Sequence, residues 1–130
     1  MIVVDASAVI EVLLNTPRAQ TVADRILAPG QTLHVPHLLD LEVAQVLRRY
    51  ALAGDIDGQR GSQAIADMND LLLNRYSHDF LLPRIWALRN NATAYDAAYI
   101  ALAEALDVPL VTCDRALAKV PGVSAEIEVI

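Results

Sequence analysis

The sequence contains few of the residues that mark several common functional classes. Its single cysteine, Cys113, excludes an internal disulfide bond and any zinc site built from several cysteines. Lysine occurs once, at Lys119, and the formal net charge of −6 argues against nucleic-acid binding through a broad basic face. No uncharged apolar run reaches the roughly 20 residues of a membrane span. No basic leader precedes the first apolar run, so we expect a cytoplasmic protein without a membrane segment.

Apolar residues are abundant, at 55% of 130 residues, which suits one domain over residues 1–130 with a sizeable core. Short β-branched runs predict strands at 2–4, 33–35, 108–112 and 127–130. Helical spacing of apolar residues predicts helices at 6–14, 17–28, 37–53, 57–73, 80–90 and 93–106. The segment around 72–77 fits a strand or a helix. This alternation predicts an α/β fold with a central, mostly parallel sheet flanked by helices.

Two of the predicted strands run directly into an aspartate. Asp5 follows Ile2-Val3-Val4, and Asp114 comes two residues after the strand that ends at Thr112. In open α/β sheets, ligands bind just outside the carboxyl ends of the strands. Two more carboxylates, Glu42 and Asp96, lie on predicted helices among strongly apolar neighbours. These four acidic residues are therefore candidates for one shared site.

The chemistry that such a site favours is the binding of a divalent cation. Buried charges are normally paired or bound to metal, and few lysines or arginines adjoin these carboxylates in sequence. Carboxylate oxygens favour Mg²⁺ or Mn²⁺ over zinc, and such a cation can activate water and neutralise charge on a phosphodiester. Ser7 and Thr112 are expected to hydrogen-bond the carboxylates or a water. Arg115, beside Asp114, is the best candidate for a phosphate contact.

Each of the four carboxylates also has a purely structural interpretation. Asp5 and Asp114 could cap the helix or turn that follows them, and Asp96 occupies the third position of a capping box. Glu42 could be a solvated helix residue. Asp40 is its rival on the same helix, but it points about 160° away, so both cannot serve one site. The joint occurrence of the four residues favours the metal site.

Four segments resemble, in order, the motifs of the PIN-domain family, and specifically the VapC toxin ribonucleases of bacterial toxin–antitoxin pairs. They are residues 4–7 (VDAS), 36–43 (PHLLDLEV), 93–99 (TAYDAAY) and 110–114 (LVTCD). The resemblance implies a three-layer PIN fold and a Mg²⁺- or Mn²⁺-dependent endoribonuclease that cuts structured RNA, such as tRNA or rRNA, to block translation. It assigns the catalytic, metal-binding quartet to Asp5, Glu42, Asp96 and Asp114, with Glu42 preferred to Asp40 because it precedes Val43 as in the family pattern.

The resemblance also implies partners, namely a second copy of the chain in a homodimer and a VapB-like antitoxin whose C-terminal tail covers a groove beside the site. Two other functions remain as alternatives. One is a catalytically silent PIN scaffold that only binds a partner protein. The other is a receiver-like signalling domain, which needs an acidic pair after its first strand and a lysine after its last. In this sequence Ala6 and Ser7 follow Asp5, so the acidic pair that a receiver domain needs is missing.

Overall fold

A computed structural model describes all of residues 1–130 and contains five strands, six α-helices and two short 3-10 helices. The strands are β1 (Ile2–Val4), β2 (Leu33–Pro36), β3 (Asn74–Tyr76), β4 (Leu110–Thr112) and β5 (Ile127–Val129). The α-helices are α1 (Ala6–Leu13), α2 (Ala19–Ile26), α3 (Leu38–Ala53), α4 (Gly58–Asn69), α5 (Leu82–Ala87) and α6 (Ala94–Leu106). The 3-10 helices span Asp79–Leu81 and Leu117–Lys119.

The strands form one parallel sheet in the order β3-β2-β1-β4-β5. Helices flank this sheet, so the predicted α/β fold with a central parallel sheet is confirmed. Val4 at the end of β1 pairs with Val111 of β4, which sets the carboxyl ends of these two strands side by side. Receiver-like domains place β1 between β2 and β3. Here β1 lies between β2 and β4, so the receiver-like alternative is wrong.

The core lies between the sheet and its helices. All three residues of β1 are buried, as expected for a central parallel strand covered on both faces. Helix α6 packs against β1, β2, β4 and α5, whereas α1 packs against β4, α2, α3 and α4. Seven consecutive residues of α6, from Ala97 to Ala103, are buried, in agreement with the strongly apolar neighbours of Asp96 in the sequence. None of the helices has the length and apolar character needed to span a membrane.

Several predicted element boundaries extend too far. The helix predicted to reach residue 73 ends at Asn69, and Leu72 has a left-handed backbone with φ of 52°. Residues 74–76 form a strand, which resolves the strand-or-helix ambiguity of this segment. The helix predicted at 80–90 is a 3-10 turn followed by the shorter α5. The strand predicted from 108 begins at Leu110, because Asp107 ends α6 in a left-handed conformation.

Candidate active site

The four predicted carboxylates line one cavity of about 620 Å³ at the carboxyl edge of the sheet. Asp5 follows β1, Asp114 follows β4, Glu42 lies in the second turn of α3 and Asp96 lies in the first turn of α6. The cavity is at the point where the strand order reverses, between β1 and β4. Ligand sites of open α/β sheets occupy this position. The fold therefore brings together carboxylates from four separate parts of the chain.

Asp5 is the most buried of the four, with only 7% of its surface exposed. Its Oδ2 accepts hydrogen bonds from Ser7 Oγ at 2.7 Å and from Thr112 Oγ1 at 2.8 Å, as predicted for these two hydroxyls. Asp5 occupies the N-cap position of α1, but its side chain makes no capping hydrogen bond, so the structural alternative for this residue is wrong. Every fully buried side-chain oxygen in the structure has a hydrogen-bond partner, but Oδ1 of Asp5 bonds to no other side chain. Oδ1 is therefore the oxygen of Asp5 that is open to the cavity.

The same two hydroxyls connect β1 to the loop that follows β4. Thr112 Oγ1 accepts from the backbone N–H of Asp114 at 2.9 Å, and Ser7 Oγ accepts from the N–H of Cys113 at 3.0 Å. The two hydroxyl oxygens are 3.2 Å apart. Ser7 lies within the first turn of α1. This network fixes the position of Asp5 relative to Asp114.

Glu42 is held by a contact between two helices. Its Oε1 accepts a hydrogen bond of 2.6 Å from the phenol of Tyr99, which is fully buried in α6. Burial raises the pKa of Tyr99 well above its ordinary value, and the Glu42 carboxylate raises it further. The phenol is thus protonated and donates. Asp40, the rival of Glu42, instead accepts hydrogen bonds from Arg75 through both carboxylate oxygens and does not line the cavity.

Helix α3 presents different residues to the core and to the cavity. Its buried stripe is Leu39, Val43 and Leu47. Val46 and Tyr50 line the cavity, and Glu42 lines it with them.

Asp96 and Asp114 combine a structural and a site position. The hydroxyl of Thr93 accepts from the N–H of Asp96 at 3.1 Å, so the predicted cap at the start of α6 is confirmed. The Asp96 carboxylate accepts no hydrogen bond in return and lines the cavity, half-buried. Asp114 is exposed, and its Oδ1 caps the following turn by accepting from the N–H of Ala116 at 2.9 Å. Asp114 thus both caps a turn and lines the cavity, whereas the carboxylate of Asp96 takes no part in the cap of α6.

Negative charge in the cavity is almost uncompensated. Burial is the largest cause that raises the pKa of Asp5, Glu42 and Asp96, and repulsion between the carboxylates raises each pKa further. None of the four residues forms a salt bridge. Arg49 is the one basic residue that lines the cavity. A bound cation would therefore relieve both the burial and the repulsion of these charges.

Sequence reasoning missed two charged residues of the cavity. Glu11 on α1 is a fifth acidic lining residue, which accepts a hydrogen bond from the hydroxyl of Thr16 and lies 3.9 Å from Arg18. Arg49 on α3 is the second, and it carries the opposite charge. Helical periodicity predicts only the direction of each side chain along its own helix. The sequence therefore could not show that Glu11 and Arg49 line the same cavity.

Other candidate residues lie outside the cavity. Arg115 is exposed and does not line it, so its phosphate contact stays a prediction. Two of the three histidines have structural partners: the ring of His34 bonds to the hydroxyl of Tyr76 at 2.8 Å, and His78 accepts from the N–H of Leu38 at 3.0 Å. No group of three or more histidine, cysteine, aspartate or glutamate side chains is close enough to enclose a metal ion directly.

The sequence also matches a family model. The PIN-domain model matches residues 2–123. Ribonuclease VapC1 of Mycobacterium tuberculosis is 43% identical over 129 residues, covering 98% of this chain and 96% of the relative. The chain belongs to the PIN-domain family, among the VapC proteins. The predicted resemblance is thus confirmed over nearly the whole length of this VapC-family chain.

Solved structures agree at the level of the fold. VapC20 of M. tuberculosis, described as a sarcin-ricin loop cleaving toxin, has a TM-score of 0.73 and 14% identity and covers 95% of this chain and 96% of its own. A toxin–antitoxin complex from Klebsiella pneumoniae contains a chain with a TM-score of 0.66 and 20% identity, covering 99% of this chain and 100% of its own. At such low identity, these likenesses support the VapC fold alone.

Proposed function

We propose that residues 1–130 form one PIN domain that acts as a metal-dependent endoribonuclease toxin and cuts structured RNA, such as tRNA or rRNA, to inhibit translation. The observation that carries this proposal is the convergence of Asp5, Glu42, Asp96 and Asp114 on one cavity that holds almost no positive charge. Relatives with 43% identity that are named ribonucleases support the reaction class. A silent scaffold has no need for buried carboxylates whose pKa values are raised.

The cavity suits a divalent cation, which members of this family generally use. The available metal ligands are carboxylate oxygens, and both side-chain hydrogen bonds to Asp5 go to Oδ2, so Oδ1 has no side-chain partner. Mg²⁺ keeps several waters when it binds to proteins, so its carboxylates need not touch one another. This accounts for a site in which no three side chains enclose a metal directly. We infer Mg²⁺ as the ion, with Mn²⁺ as a substitute, because both prefer oxygen ligands.

The four carboxylates share one task in this proposal. Asp5, Glu42, Asp96 and Asp114 would hold the cation together. Asp5 is fixed by Ser7 and Thr112, and Glu42 reaches the cavity from α3. When bound, the cation supplies activation of water and neutralises charge that develops on the phosphodiester. Without it, the acidic cavity would repel the RNA backbone.

The proposed partners follow from the family and from the surface. A VapB-like antitoxin would cover the cavity, whose rim carries the exposed apolar side chains Leu41 and Tyr95. The chain would form a homodimer, and a second apolar surface is available for it at Phe80, Leu82 and Trp86, each more than half exposed. The protein would act in the cytoplasm, where tRNA and ribosomes are found.

The direct test is cleavage of labelled tRNA and rRNA by the purified protein. We expect cleavage with Mg²⁺ and none in EDTA. Asp96→Asn should reduce the rate by at least about 100-fold, since the metal charge would be poorly compensated. Asp40→Asn is the matched control, because Asp40 lies outside the cavity and pairs with Arg75. Asp96→Asn that cleaves as fast as the wild type would show that the site is assigned wrongly.

Expression in a bacterial host tests the toxin part of the proposal separately. Wild-type protein should arrest growth, and Asp5→Asn should not, because the substitution removes the carboxylate at the centre of the site. Normal growth of a culture that makes folded wild-type protein would favour the silent scaffold.

A further inference from the structure

The phenol of Tyr99 is a buried polar group that contacts a carboxylate of the cavity. Tyr99 lies on α6, three residues after Asp96, and its side chain is completely buried. Its one hydrogen bond to a side chain is the 2.6 Å contact to Oε1 of Glu42 on α3. A phenylalanine would fill nearly the same volume in the core. The contact with Glu42 is therefore the one side-chain interaction that the hydroxyl adds.

Glu42 and Asp5 share one arrangement. In each carboxylate, one oxygen is held by buried hydroxyl groups: Oδ2 of Asp5 by Ser7 and Thr112, and Oε1 of Glu42 by Tyr99. The other oxygen, Oδ1 or Oε2, accepts no hydrogen bond from a side chain, and both residues line the cavity. A carboxylate fixed through one oxygen presents the other in a single direction.

Without Tyr99, little else would fix the carboxylate of Glu42. Glu42 forms no salt bridge, and three rotatable bonds separate its carboxylate from the backbone of α3. Ordering such a long side chain costs conformational entropy. A hydrogen bond from a buried donor can offset this cost before any ligand binds, because hydrogen bonds to charged groups are stronger than those between neutral groups.

We propose that Tyr99 is a positioning residue of the active site, which holds Glu42 so that Oε2 faces the cation and the RNA. This inference rests on the proposed function. Tyr99 does not touch the substrate; it acts through Glu42. Groups that orient the ligands of a metal site typically contribute about 10–100-fold to metal affinity or activity.

The test measures the binding of Mn²⁺ alone to the purified full-length chain by isothermal titration calorimetry. Tyr99→Phe should weaken Mn²⁺ binding about 10-fold while the circular dichroism spectrum stays unchanged. Tyr76→Phe is the matched control, because it removes a phenol that bonds to His34 at 2.8 Å and does not line the cavity. This control should bind Mn²⁺ within about twofold of the wild type, even though it also loses a hydrogen bond.

A double-mutant comparison shows whether Tyr99 acts through Glu42. In a Glu42→Gln background, the further change Tyr99→Phe should alter Mn²⁺ affinity by less than about twofold. Tyr99→Phe that binds Mn²⁺ as tightly as the wild type, or weakens binding equally in both backgrounds, would overturn the inference. These outcomes leave the proposed function intact if the wild type binds Mn²⁺ and cleaves RNA. A wild type that does neither would contradict both proposals.

Discussion

Replacing Thr112 by valine removes the central hydroxyl of the site without changing the shape of the core. Thr112 is fully buried, donates to Oδ2 of Asp5 at 2.8 Å and accepts from the N–H of Asp114 at 2.9 Å. A hydrogen bond to a charged group contributes about 1.5–3 kcal/mol, and the exposed Asp114 can bond to water instead. We therefore expect Thr112→Val to lower the free energy of unfolding of the metal-free protein by about 2–3 kcal/mol at pH 7.

Urea denaturation followed by circular dichroism measures this change. Thr21→Val is the matched control, because Thr21 is exposed on α2, and it should change the free energy of unfolding by less than about 0.5 kcal/mol. At a pH low enough to protonate Asp5, the cost of Thr112→Val should fall to about 1 kcal/mol, since the lost bond is then between neutral groups. A cost below about 0.5 kcal/mol at pH 7, or one that does not change with pH, would refute this account of the network.

Two further substitutions test the electrostatics of the cavity and the end of α3. Burial raises the pKa of Asp5 above its ordinary value of 3.8, so the folded protein binds this proton more tightly than the unfolded chain does. Protonated Asp5 therefore adds to the free energy of unfolding. This contribution is complete below pH 3.8 and is lost as the pH rises through the pKa that Asp5 has in the folded protein. Asp5→Asn should therefore stabilise the metal-free protein at pH 7, and the gain in stability should shrink towards pH 4. If the urea midpoints of the variant and the wild type differ equally at both pH values, this prediction is wrong. Gly54 ends α3 with φ of 81°, and nothing lies within 4 Å of a Cβ added there. Gly54→Ala should lower the free energy of unfolding by about 1 kcal/mol through backbone strain alone. Gly58→Ala is the control, at an equally open position without positive φ, and should be neutral or stabilising. Equal free energies of unfolding for the two variants would show that the strain is absent.

The sequence predicted the site better where strands position it than where helices do. Asp5 and Asp114 could be placed because each follows a buried strand, and parallel strands end at one edge of a sheet. Glu42 and Asp96 were candidates because of their apolar neighbours, but the choice of Glu42 over Asp40 needed the family pattern, since the pattern of one helix gives the direction of a side chain and not its partner. The hydrogen bond between Glu42 and Tyr99 joins residues 57 positions apart, which no local pattern reports.

Errors in the fold arose where local preference and tertiary structure disagree. Asn74-Arg75-Tyr76 lacks the apolar alternation of a half-buried strand, because β3 is an edge strand with mostly exposed residues. Its pairing with β2 is what makes it a strand. Leu72 adopts a left-handed backbone although leucine rarely does so, and the predicted helix therefore extended past its true end at Asn69.

The central claim, that Asp5, Glu42, Asp96 and Asp114 together create a site for a divalent cation, is tested most directly by anomalous diffraction from crystals grown with Mn²⁺. We predict one strong anomalous peak in the cavity, within ligand or water-bridged distance of Asp5, Asp96 and Asp114, and no such peak in crystals of Asp5→Asn. Crystals of the wild type with Mn²⁺ bound only elsewhere, or with none bound at a concentration that supports RNA cleavage, would contradict the claim.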